Sequence, residues 1–225
     1  MRQPISVIIP QFERSRLSVQ CVETLWAFHR DLEVIVVDDG SSLSELKGLR
    51  QQQNLGAQIV RMSRNSGVTQ AWNRGADHAS GDTLIFLNND TLTTGTWCEE
   101  LANPVRNQLC SIAGIEERKE SRIPENLTDS LTEKRILAGW CFALSRDLFF
   151  ELGKFDERFR LYFSDTDLQL RVVMAQRHTT PLLVVPELPV SHAAHQTTKV
   201  LPQRSRDWHR DCIAFERKWM GQEGS

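Results

Sequence analysis

Four short apolar runs, each closed by turn-forming or polar residues, divide the first 90 residues of this chain. Ile5-Ser6-Val7-Ile8-Ile9 stops at Pro10, and Val34-Ile35-Val36-Val37 stops at Asp38-Asp39-Gly40-Ser41-Ser42. A third run lies near Ile59 to Met62, and Thr83 to Leu87 stops at Asn88-Asn89-Asp90. Runs this apolar, without polar alternation, suit strands buried on both faces, as in a parallel sheet covered by helices. The segments between them carry the complementary signal. Leu17, Cys21, Leu25 and Phe28 recur at helical spacing, and a short helix is expected around Leu43 to Gln53. Val68, Ala71, Trp72, Gly75 and Ala79 mark a further helix that starts at Ser66 and Gly67. The alternation predicts an α/β fold of Rossmann-like type, a mostly parallel central sheet flanked by helices.

The second half is less regular. Glu116 to Lys134 is highly charged and poor in apolar residues, and reads as a mobile loop near the site. Ile136 to Leu144 is apolar again. Asp165 to Gln176 fits a helix with Leu168, Val172 and Ala175 facing inward, and Leu182 to Val185 fits a strand. In the tail, Trp208, Cys212, Phe215 and Trp219 form a helical stripe among Arg204, Arg206, Arg210, Arg217 and Lys218. Such a stripe either packs on its own domain or rests peripherally on an anionic membrane surface. Gln222 to Ser225 reads as a loose end, as at the edge of a domain from a longer protein. The 225 residues suffice for one α/β domain. The expected division of a single domain over 1–221 is a regular half over 1–95, a less regular half over 96–200, and an amphipathic helix over 201–221.

Bulk properties remove some classes. A net charge of -2 lacks the basic excess that nucleic-acid binders use against phosphates. The five cysteines are odd in number and form no CxxC pair, which argues against a disulfide framework or a zinc site. They read as buried thiols of a cytosolic protein. The start has no signal-peptide pattern, and no run approaches the roughly 20 apolar residues that span a bilayer. The expected location is therefore cytoplasmic.

Chemistry concentrates where the strands end. Asp38-Asp39-Gly40-Ser41-Ser42 is by itself a good turn, but its carboxylates could also accept hydrogen bonds from a base or ribose. Asn88-Asn89-Asp90 is by itself a good loop, but Asp90 offers oxygens suited to Mg2+ or Mn2+. Two such clusters at carboxyl ends of strands in one sheet should meet in one crevice, where open α/β sheets bind ligands.

These segments, in this order, resemble glycosyltransferase family 2, whose fold is GT-A. Val7-Ile8-Ile9-Pro10 resembles the opening strand, and Val36-Val37-Asp38-Asp39-Gly40-Ser41-Ser42 the nucleotide-binding strand end. Asn65-Ser66-Gly67 and Trp72-Asn73-Arg74-Gly75 resemble the helix beside the nucleobase. Gly81-Asp82 through Leu87-Asn88-Asn89-Asp90 resembles the segment with the Asp-x-Asp metal motif. Gly153-Lys154-Phe155-Asp156-Glu157-Arg158-Phe159 and Ser164-Asp165-Thr166-Asp167-Leu168-Gln169-Leu170-Arg171 resemble the approach to the catalytic helix and that helix. The resemblance runs from Ile5 to about His195. Two positions depart from it: Asn88 stands where an Asp is common, and Ser164 where a Glu is usual.

The resemblance implies a metal-dependent, inverting transfer of a sugar from a UDP-, dTDP- or GDP-linked donor to a hydroxyl of a glycan or lipid-linked acceptor. Bacterial surface polysaccharide assembly is the expected context. It implies that Asp90 and His192, with His195 as competitor, hold Mn2+ or Mg2+, and that Asp165 is the catalytic base. Pro10, Asp38, Asp39, Asn65, Asn73 and Asn89 would contact the donor, with Arg74 near the diphosphate or simply exposed. Gly139 and Trp140 would face the acceptor, with core packing the other reading of Trp140. Asp167 reads as structural or sugar-contacting. Asp165 and His192 also have ordinary readings, as a helix cap and a surface residue. Two rivals stand beside this reading. A sugar nucleotidyltransferase would need a Gly-rich basic loop, and Pro10-Gln11-Phe12-Glu13-Arg14-Ser15 has no glycine. A catalytically degenerate binding module is suggested by Asn88 and Ser164.

Overall fold

The structure, a computed structural model, describes residues 4–125, 127, 131, 134–175, 177–193 and 204–221. Its centre is a seven-stranded sheet of strands β1 (Ile5–Gln11), β2 (Leu32–Asp38), β3 (Gln58–Arg61), β4 (Thr83–Leu87), β6 (Ile112–Gly114), β9 (Cys141–Ser145) and β10 (Leu182–Val184). They lie in the order β10-β6-β9-β4-β1-β2-β3. The β1–β2, β1–β4, β2–β3 and β6–β10 pairs are parallel, while β9 runs antiparallel to both β4 and β6. The α/β architecture expected from the alternation is present. The reversed β9 had no sequence signal, because periodicity reports burial and not strand direction.

Continuous apolar strands make sense once both faces are covered. On one face Val7, Ile9, Val34, Val36, Ile85 and Leu87 pack with helices α1 (Ser15–Phe28) and α4 (Cys98–Arg106). On the other, Ile8, Ile35, Val37, Leu84 and Phe86 pack with α3 (Val68–His78), α5 (Arg146–Glu151) and α6 (Ser164–Ala175). Each such buried side chain contributes roughly 1.5–3 kcal/mol. Helix α2 (Leu46–Asn54) follows a short 3-10 turn, Leu43–Glu45. All five cysteines are buried, and burial pushes the Cys21 thiol up to about 11.

Several expected inward faces are rotated. In α1 the buried positions are Ser15, Ser18, Val19, Cys21, Val22 and Leu25, while Phe28 is 42% exposed. In α6, Leu168 and Val172 are buried as expected, but Val173 replaces the exposed Ala175, and Gln176 lies outside the described residues. The segment expected to be a loop begins with strand β7 (Glu117–Lys119), paired antiparallel with β8 (Arg135–Leu137). Ile123 and Leu131 of that segment are buried. Helix α7 (Arg204–Trp219) turns Cys212 and Phe215 inward against Phe159, Phe163, Leu170 and Val173. Its apolar stripe therefore packs on the protein, leaving Ile213 as its exposed large apolar residue, with Met220 exposed in the turn that follows. Residues 222–225, expected as a loose end, lie outside the described residues. No helix among the described residues is long and apolar enough to cross a membrane.

Carboxylates fasten α7. Asp211, fully buried, accepts from the backbone N of Arg160 at 3.0 Å, Leu161 at 2.8 Å and Tyr162 at 3.0 Å. Asp167 of α6, also fully buried, accepts from Trp219 Nε1 at 3.0 Å and Arg171 Nε at 2.9 Å and pairs with Lys218. Asp167 thus has a structural role, the first of the two expected for it. Lys218 also reaches Asp156 at 2.8 Å. The last helix braces the turn from which α6 starts.

Candidate active site

The parallel registers bring the ends of β1, β2 and β4 to one edge, with Gln11 opposite Asp38 and β1 between the two acidic clusters. A cavity of about 870 Å³ opens there. Its lining includes Pro10, Asp39, Asn65, Asn89, Asp90, Gly139, Trp140, Asp165 and His192, all expected from the sequence.

The adjacent aspartates diverge. Asp38 ends β2, is fully buried, pairs with Arg61 Nε at 3.3 Å and accepts from Ser41 N at 3.3 Å. It does not line the cavity, because its side chain stays with the sheet edge and the following turn. Asp39 leaves the strand and lines the cavity. Its carboxylate accepts from Ser66 N at 2.6 Å and Gly67 N at 2.7 Å, joining β2 to the N-terminus of α3. Burial raises its carboxyl above the usual range despite those two donors. Gly67 has a φ of +100, and a Cβ there would meet the backbone O of Arg160 at 2.4 Å, so this junction requires glycine. Asn65 accepts from the Arg160 guanidinium through its side chain and, at 3.1 Å, through its backbone O.

Asn73 is the second expected donor contact that lies elsewhere. Its amide donates to Phe155 O at 2.9 Å and Glu157 Oε1 at 3.1 Å and accepts from Phe155 N at 3.0 Å. These bonds clamp α3 to the 155–157 turn, away from the cavity. Arg74, on the same helix, does not line the cavity either.

After β4, Asn89 donates to Ser18 Oγ at 3.0 Å, and Asp90 Oδ1 lies 2.9 Å from His192 Nε2. A small antiparallel sheet creates that meeting. Strand β11 (Val190–His192) pairs with β5 (Thr91–Thr93), placing His192 opposite Thr91. Asn88 Nδ2 is 3.4 Å from the same imidazole nitrogen. His195 lies outside the described residues. Asp165 sits in the first turn of α6, where its Oδ2 accepts from Arg118 Nη2 at 3.3 Å. Arg118 also donates to Thr166 Oγ1 and Glu120 Oε2, each at 2.8 Å, and these bonds hold its carboxylate pair in place. Gly139 passes directly beside Asp165. Trp140 is 8% exposed and stacks on His192, with ring centroids 5.0 Å apart.

Further cavity residues were not singled out from the sequence. Glu116, Arg118 and Glu120 enter from β7 and its two flanks, and Arg160 and Asp207 from the α6 approach and α7, beside Trp208 of the tail stripe. The spacing of Glu116, Arg118 and Glu120 by two was the available signal, since strand side chains alternate. Among the described residues, the lining carries six carboxylates, from Asp39, Asp90, Glu116, Glu120, Asp165 and Asp207, against the two guanidinium groups of Arg118 and Arg160.

Comparison with known proteins bears on this site. The family model described as Glycosyl transferase family 2 matches residues 6–167. The O-antigen biosynthesis protein RfbC of Myxococcus xanthus is 25% identical over 255 residues, covering 98% of this chain and 20% of that protein. Glycosyltransferase GlyG of Streptococcus pneumoniae serotype 4 is 27% identical over 111 residues, covering 48% of this chain and 37% of that protein. The chain thus spans well under half the length of either relative. Among solved structures, the mannosyltransferase PcManGT from Pyrobaculum calidifontis, in complex with GDP-Man and Mn2+, matches with a TM-score of 0.67 at 18% identity, covering 100% of this chain and 66% of that one. GalNAc-T7 with UDP, GalNAc and Mn2+ matches at 0.66 and 18% identity, covering 85% and 44%. The shared fold is GT-A.

Proposed function

Because the chain belongs to glycosyl transferase family 2, we propose that it moves a sugar from a nucleoside-diphosphate donor to an acceptor hydroxyl by a single in-line, inverting displacement. The observation that carries this reading is the opening of the Asp90–His192 pair and Asp165 onto one cavity. Polysaccharide or lipid-linked glycan assembly is the context suggested by the Myxococcus relative's name.

A divalent ion fits the donor set at Asp90 and His192. One carboxylate oxygen and one neutral imidazole nitrogen are suitable ligands. In place, that ion would be held by Asp90 and His192, which the structure brings within 2.9 Å of each other. When bound, the ion supplies charge neutralisation for the departing diphosphate. Asp39, Asn65 and Pro10 line the nucleoside side of the cavity, and Asn89 lies next to the metal pair. Asp165 takes the acceptor's proton as its oxygen attacks, a step that contributes roughly 10²–10⁴-fold. Arg118 and Thr166 hold that carboxylate's surroundings.

The test is thermal stabilisation by UDP, dTDP and GDP, each with and without Mn2+, since a ligand of the native state raises apparent stability by mass action. A metal-dependent shift with one nucleotide is expected and identifies the donor class. No shift with any of the three, for folded protein, would overturn the donor reading.

A further inference from the structure

Trp140 was expected to offer its face to an acceptor sugar, yet its contacts run toward the metal side of the cavity. The indole lies over His192 with the two planes 12° from parallel and the centroids 5.0 Å apart. Its Nε1 donates to Glu116 Oε1 at 2.5 Å. Its backbone O accepts from Asn88 N at 2.8 Å, which binds the corner between β8 and β9 to the segment leading into Asp90. Glu116 is anchored in turn, because its backbone O accepts from Ala138 N at 2.9 Å.

His192 ends a three-residue strand, so the backbone sets where its ring begins but not how the ring is turned. The terminal torsion of a histidine is broad and roughly two-fold. Nε2 meets Asp90 Oδ1 at 2.9 Å only in one range of that torsion. A flat indole against one face of the imidazole restricts the rotation. The Glu116 bond at Nε1 restricts the indole itself. Outer partners that orient a ligating histidine usually act through its second ring nitrogen, and losing one weakens metal affinity by roughly 10–100-fold. Here a ring face supplies the orientation.

We propose that Trp140, held by Glu116, is a positioning residue that sets the plane of His192 and so prepares the Asp90–His192 pair for a divalent ion. The proposal rests on the reading of Asp90 and His192 as the ligands of that ion.

The experiment is Mn2+ binding by isothermal titration to the full chain, with saturating GDP, UDP and dTDP in separate titrations, alongside melts without metal or nucleotide. Trp140→Leu removes the flat ring and should weaken Mn2+ binding about tenfold. Trp140→Phe keeps a ring face and should stay within about threefold of the unsubstituted chain. Glu116→Ala frees the indole and should fall between them, whereas Glu116→Gln keeps an accepting oxygen and should behave like Trp140→Phe. His192→Ala is the reference for a lost ligand. If His192→Ala weakens binding while Trp140→Leu does not, the positioning role is overturned and the metal reading stands. Trp140→Phe as weak as Trp140→Leu would equally overturn it. Should Trp140→Leu fail to fold, Glu116→Ala decides, and wild-type affinity there overturns the proposal. If the unsubstituted chain takes up no Mn2+ with any of the three nucleotides, or His192→Ala binds it equally well, the metal reading falls and takes this inference with it.

Discussion

Gly139 passes so close to Asp165 that a Cβ built on it would stand 2.3 Å from Oδ2 and 2.6 Å from Cγ. The absence of a side chain at one position therefore fixes where the carboxylate at the other can be. Gly139→Ala should displace Asp165 without disturbing the nucleotide side of the cavity. A misplacement of about 1 Å can cost on the order of 10²-fold in rate. Turnover should fall by about that factor while nucleotide-dependent thermal stabilisation is unchanged. Undiminished turnover would show that the carboxylate's position is not critical.

Asp165→Asn keeps the shape of the side chain and removes its capacity to take a proton. Loss of a base acts on the chemical step, so kcat should drop by roughly 10²–10⁴-fold while the donor Kd holds. A variant that turns over normally would remove Asp165 from the chemistry and leave it as a helix-capping residue.

Asp211 gathers three backbone N–H groups of residues 160–162 in one buried carboxylate. Asp211→Ala leaves them without that acceptor and removes a buried ionic partner of Arg210. The cost should be about 3 kcal/mol of unfolding free energy, measured in urea. A loss below about 1 kcal/mol would mean that the 160–162 turn is held by other contacts.

Asp156 links the approach to α6 with α7. Burial alone would raise its carboxyl, but hydrogen bonds from Arg158 and Lys218 outweigh burial and hold it well below the usual range. A carboxyl depressed on folding stabilises the native state above its unfolded value of 3.8, and that stabilisation is lost as pH falls through the folded value. Asp156→Asn should therefore be less stable by about 1 kcal/mol at neutral pH, the upper range for a partly exposed pair. The gap should close as melts are taken below about pH 4. A gap independent of pH would mean that charge is not its source.

The parallel core was legible because its strands are apolar on both faces, and only a covered sheet tolerates Val34-Ile35-Val36-Val37. The crevice followed from the strand ends, and Asp39, Asp90 and His192 do meet there. Asp38 and Asn73 do not line the cavity, for a common reason. Both are small polar residues beside true cavity residues, and their partners, Arg61 for one and Phe155 for the other, lie far along the chain. The β7–β8 hairpin was hidden because Glu117-Arg118-Lys119 has no apolar face to alternate. The α1 and α6 faces were off by about a residue because Phe28 and Ala175 sit at helix ends, where a stripe extrapolated from sequence runs past the packed region.

Arg160 carries a kinetic implication. Its side chain holds Asn65 at the cavity and Asp207 on α7, its backbone N is held by Asp211, and its backbone O receives Thr69 N at 3.4 Å. This residue stands five positions before Asp165, so one fastened segment joins Asn65 to the first turn of α6. On the proposed reading, a nucleotide held against Asn65 would set the 160–164 segment before any acceptor arrives. The order of addition should then be compulsory, donor first, with acceptor-alone binding weak and product-inhibition patterns to match.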